Sequence, residues 1–120
     1  EGYASRRGRG GTPTPLSASM VLLYDMLEGF EDFLTGSIFG EIWSRDGLSL
    51  RYRSIVVVTS LVYQGRDIEL EAHMGYALNL GWTPSQIIEV LLHALPYCGA
   101  PSTIGAMRVA HELFTERGLL

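Results

Sequence analysis

"GRDIELEAHMGYALNLGWT", residues 65–83, decides how the chain folds. Asp67 opens the run, and Gly81 stands just past its last apolar residue, which together frame a helix. Leu70, Met74, Ala77 and Leu78 repeat at helical spacing and make a core-facing stripe. Beside that stripe, Arg66, Glu69, His73, Tyr76 and Leu80 follow one another at steps of three and four. The polar row therefore borders the core instead of opposing it, where a cleft between helices or subunits could be lined. Spacing alone favours the plainer reading, an exposed Glu69–His73 pair worth a few tenths of a kcal/mol.

The same punctuation extends in both directions. Upstream, "SLRYRSIVVVTSLVYQG" (49–65) has Ser49 as an N-cap and Gly65 as its stop. Its β-branched centre could pass for a buried strand, but the length of the apolar run favours a buried helix. Downstream, "TPSQIIEVLLHALPYCG" (83–99) offers Thr83 as N-cap, Pro84 at the first helical position and Gln86 at the third, close to a capping box. Pro96 is expected to kink or end that helix. "APSTIGAMRVAHELFTERG" (100–118) again places a proline near a helix start and a glycine past its end. Nearer the N-terminus, residues 17–36 read as a helix closing at Gly36, and 38–47 as a short helix closing at Gly47. No strand-and-turn alternation occurs. The expected fold is all-α, about five main helices, with antiparallel neighbours joined by short loops.

Composition narrows the function. The 120 residues are 47% hydrophobic and only 18% charged. So small a domain cannot hide that much apolar surface in one core, which points to a homo-oligomer. The formal net charge of −4 argues against nucleic acid as a partner. All nine basic residues are arginines, which rules out Schiff-base chemistry and a P-loop lysine. Cys98 is the only cysteine, so there is no CxxC pair and no multi-cysteine zinc site. No apolar run reaches the length of about 20 residues that a membrane span needs. A cytoplasmic location is expected. Residues 1–15, "EGYASRRGRGGTPTP", read as a flexible or extended arm, and 16–120 as a single helical domain.

Other polar residues have competing readings. A metal site at Glu69 and His73 lacks the second Glu/His pair that di-iron bundles use, so no metal is expected. Arg51 and Arg53 begin a helix, where a cation opposes the dipole, so a carboxylate from the protein (Glu41) or from a ligand is the expected partner. His93, in an apolar helix, reads as a core or interface histidine, and His111 likewise. Cys98 has no evident neighbour to lower its pKa and reads as packing.

Three stretches taken together, "EIWSRDGLSLRYRS" (41–54), "ELEAHMGYALNLGWT" (69–83) and "IIEVLLHALPYCGAP" (87–101), resemble the carboxymuconolactone decarboxylase family. The resemblance covers about Gly40 to Leu113. The alkylhydroperoxidase D-like branch of the superfamily uses CxxC followed four residues later by His. Counted back from His73, those cysteines would fall at Glu69 and Arg66, so thiol peroxidase chemistry is excluded here. The resemblance implies the cofactor-free branch. It implies an alkylhydroperoxidase D-like helical bundle assembled as a homotrimer or homohexamer, and a carboxy-lyase acting on a lactone or related cyclic carboxylate. Loss of CO2 would leave a dienolate, with the lactone carbonyl as electron sink. His73 and Glu69 would then do the acid/base work with Arg66 as a third catalytic candidate. Arg51, Arg53, Glu41, Trp43, His93 and Tyr97 would bind or wall the substrate, and Met107 would add to that wall. Two other readings stay open: a cofactor-free isomerase, cyclase or dehydratase, and a non-catalytic small-molecule-binding subunit on the same scaffold.

Overall fold

A computed structural model describes Met26 and residues 29–120, Glu31 by its backbone only. The expected arm over 1–15 and most of the helix expected over 17–36 lie outside the described residues. By internal packing the chain divides into two units, Glu1–Leu48 and Ser49–Leu120.

In the first unit, α1 (Phe30–Phe33) runs without a break into a π-helical stretch, Leu34–Ile42. The expected stop at Gly36 is not made. Gly36 keeps a right-handed backbone, and the glycine with positive φ is Gly29, ahead of α1. The π register is visible where the Trp43 N–H reaches the Ile38 carbonyl at 3.0 Å, five residues back. The expected second short helix is thus absorbed into one continuous helical run, and the Ser44 hydroxyl donates back to the Gly40 carbonyl.

The second unit contains four helices: α2 (Leu50–Gln64), α3 (Asp67–Asn79), α4 (Pro84–Cys98) and α5 (Ala100–Glu116). No strand occurs among the described residues, so the all-α expectation holds. The caps read from the sequence form. The Ser49 hydroxyl accepts the Tyr52 N–H, and Thr83 and Gln86 complete a reciprocal capping box. At the end of α3, Gly81 takes φ +97°. Its N–H reaches the Leu78 carbonyl and the Trp82 N–H reaches Ala77, so the last carbonyls are satisfied while the chain reverses. Pro96 sits in the last turn of α4, which ends two residues later. Gly99 alone joins α4 to α5.

α2 packs on α3, α4 and α5, and α5 packs on α3 and α4. The core draws Val58 and Val62 from α2, Leu70, Met74 and Ala77 from α3, Ile87 and Leu91 from α4, and Ala106, Ala110, Leu113 and Phe114 from α5. The "IVVV" run is therefore helical, with Val58 in the core and Val56 61% exposed. Exposed apolar residues recur along α2 (Tyr52, Val56, Tyr63) and α4 (Ile88, Leu92, Leu95) at helical spacing. Among the described residues, no helix is long and apolar enough to cross a membrane.

Candidate active site

The helix frame of 65–83 fixes where its polar row points. Arg66 is the N-cap of α3 and is exposed. It makes no side-chain cap, and its backbone carbonyl takes the Leu70 N–H at 2.8 Å. Asp67 and Glu69 lie in the first turn, where the helix dipole favours negative charge. Glu69, His73 and Tyr76 are half-buried, and the His73 Nδ1 is closed off from solvent. Glu69 and His73 lie one turn apart on the same face. The solvated-pair reading that spacing favoured does not describe this row beyond Arg66: the carboxylate and imidazole sit at the margin of the core, next to buried Met74 and Gly75. A proton carrier in that position is partly shielded from water, as an acid/base group needs.

Gly75 marks a close approach by a second element. A Cβ there would lie 2.7 Å from the Arg117 Nη2, so the guanidinium at the end of α5 crosses α3 at this point. The Arg117 Nη1 donates to the Asn79 Oδ1 at 3.1 Å.

The other candidates are distributed. Arg51 and Arg53, both half-buried, lie in the first turn of α2. Arg51 is brought to the α3–α4 turn: its guanidinium lies 4.2 Å from the centroid of the Trp82 ring, and its Nη2 donates to the Gln86 Oε1 at 3.4 Å. Its own carbonyl accepts the Trp82 Nε1–H at 2.9 Å and the Ser54 hydroxyl at 2.6 Å. Contact between the start of α2 and the end of α3 makes these helices antiparallel. Sequence reasoning read Gln86 only as a cap and gave Trp82 no role. The signal in the sequence was a large amphipathic ring directly after a helix-stopping glycine.

His93 is exposed on the chain, so of the two placements expected of it, core or interface, it does not take the core. α4 turns Leu91 and Ala94 inward and leaves Leu92 and His93 on the outer side. Its ring meets that of Tyr97, one turn on, with centroids 5.7 Å apart, and Tyr97 is 74% exposed. His111 is exposed, while Met107 and Cys98 pack half-buried against the core. Glu41 and Trp43 belong to the other unit. There Glu41 is exposed and Trp43 packs on Phe39, ring centroids 6.2 Å apart. Among the described residues no three His, Cys, Asp or Glu side chains converge as a metal site.

Comparison with known proteins gives the class to which this all-α chain belongs. The sequence model of the carboxymuconolactone decarboxylase family matches residues 28–112, and the chain belongs to that family. It is 35% identical over 104 residues to the 4-carboxymuconolactone decarboxylase of Acinetobacter baylyi, covering 87% of this chain and 78% of that one. It is also 35% identical over 86 residues to the nitrosuccinic acid decarboxylase npaB of Metarhizium robertsii, covering 72% of this chain and 60% of that one. Both relatives are named as decarboxylases, which supports a decarboxylase enzyme.

Proposed function

We propose that this chain is a cofactor-free decarboxylase of a small carboxylate that carries its own electron sink, with His73 and Glu69 as its acid/base pair. The observation that carries the reading is that pair, half-buried and one turn apart on α3, in a chain 35% identical to a 4-carboxymuconolactone decarboxylase. The C–C bond to the departing carboxylate breaks, and its electron pair moves into a conjugated acceptor on the substrate. For a carboxylated lactone that acceptor is the carbonyl; for a nitro acid, the nitro group. The carbon left behind takes a proton from the imidazolium of His73, and solvent restores that proton. Glu69, one turn earlier on the same face, orients the ring. A cation among Arg51, Arg53 and Arg66 holds a substrate carboxylate. His93 and Tyr97 stay candidates for the substrate wall. Because the acceptor belongs to the substrate, no metal or organic cofactor has to supply one.

The reading extends to organisation. The family match crosses the boundary between the two units, which supports one domain over 16–120. The exposed stripes of α2 and α4 suit burial between copies, in line with a homotrimer or homohexamer. Light scattering of the purified chain tests the assembly. Incubation with 4-carboxymuconolactone and, in parallel, nitrosuccinate, following released CO2, tests the activity. Turnover of either supports decarboxylation. Conversion without CO2 release would transfer the site to an isomerase or dehydratase, and no conversion of either would leave a binding subunit.

A further inference from the structure

We infer that Trp82 and Gln86 are positioning residues that hold the Arg51 guanidinium as the seat of a substrate carboxylate, an inference that rests on the proposed decarboxylase reading. One indole grips both ends of Arg51. Its N–H donates to the Arg51 backbone carbonyl at 2.9 Å, and its ring carries the guanidinium at 4.2 Å. The guanidinium plane is thereby set before any ligand arrives. Gln86 fixes the rotation within that plane. Its Oε1 accepts the Thr83 N–H at 3.0 Å, which orients the amide, and the same oxygen accepts from the Arg51 Nη2 at 3.4 Å.

The charge itself is left uncompensated. Among the described residues no carboxylate pairs with Arg51, and its enclosed Nε has no acceptor. A guanidinium has five N–H donors, and one neutral amide engages only one of them. Cations that lose water normally gain an anionic partner. Arg51 as a whole stays half-exposed, so an anion has an approach to it.

The placement suits a carboxylate that is retained, not the one that is lost. Trp82 lies beyond the end of α3, and His73 lies six residues inside it, about 9 Å along the axis. The carbon that loses CO2 must sit beside the proton donor, and a cation there would hold the leaving carboxylate back. A cation one substrate length away anchors the molecule without that penalty, and its binding energy orients the reacting carbon.

The test compares wild type with R51Q, W82L, W82F and Q86E in kcat and KM for 4-carboxymuconolactone, with succinate binding by calorimetry as a second arm. Gln86→Glu is the decisive variant, because a carboxylate there still accepts the Thr83 N–H but fills the seat itself. Expected for Q86E is an unchanged or raised melting temperature with KM and succinate Kd up by tenfold or more, about the worth of one charge-assisted contact. W82L should raise both about tenfold at nearly constant kcat, and W82F, which keeps a ring face, should recover much of the loss. Wild-type KM and Kd in both Q86E and W82L would overturn the positioning role even if R51Q weakens binding. Wild-type values in R51Q would overturn the seat. If the wild type turns over no substrate, the activity reading falls, and succinate binding decides the seat alone, its absence overturning it.

Discussion

Replacing Gly75 with alanine probes the contact between the end of α5 and the middle of α3. In a helix interior, glycine is less favourable than alanine by about 1 kcal/mol. The new methyl would meet the Arg117 Nη2 at 2.7 Å, closer than a Cβ tolerates, so the arginine must move. That movement breaks the 3.1 Å bond from Arg117 to Asn79, a side-chain hydrogen bond at the surface worth about 0.5–1 kcal/mol. The two effects nearly cancel, so Gly75→Ala alone should change stability by less than about 0.5 kcal/mol. In an Arg117→Ala background the obstruction is gone, and the same substitution should stabilise by about 1 kcal/mol, roughly 4–8 °C in Tm for a domain of this size. Thermal melts of the four proteins in the cycle, at one protomer concentration, give the coupling directly. An equal gain in both backgrounds would mean that Arg117 does not cover Gly75.

Other expectations follow from single sites. His73→Ala and Glu69→Gln should each lower decarboxylation by about 100-fold or more, read as initial CO2 release, with Tm little changed. Thr103 is buried with its hydroxyl lacking a partner among the described residues, so Thr103→Val should stabilise by about 1 kcal/mol in chemical denaturation. Leu91→Ala, which empties a fully buried site, should cost about 2–5 kcal/mol by the same measurement. Thr83→Ala removes the cap oxygen that takes the Gln86 N–H and should cost about 1 kcal/mol.

The four helices of the second unit were legible because their ends are chemical. Ser49, Thr83, Gly65 and Gly81 mark boundaries that local hydrogen bonding enforces whatever the tertiary context. The β-branched "IVVV" run did not mislead, because those caps enclose it. The first unit was harder to read. A glycine in a helical pattern signals a stop only if it takes the left-handed conformation, and Gly36 does not while Gly29 does. Periodicity also predicted the polar row on α3, but not its half-burial, which depends on how α2 and α5 pack around it. The surroundings of Arg51 were beyond the sequence for the same reason: residues 51, 82 and 86 meet only because α2 and α3 run antiparallel. His93 lies outside the core because an apolar helix has an outer side too, and in α4 that side carries Leu92 as well.

The single-residue joint at Gly99 also constrains how the chain can vary in length. Gly99 closes α4 and opens α5 at φ +89° and ψ 154°, backbone angles available to glycine and strained for other residues. One inserted or deleted residue has no loop in which to be absorbed. It would have to shift the register of α5, carrying Ala106, Ala110 and Phe114 away from their places in the core. Changes in length between related chains should therefore collect at the α3–α4 turn or ahead of α2, and residues 98–100 should be free of gaps.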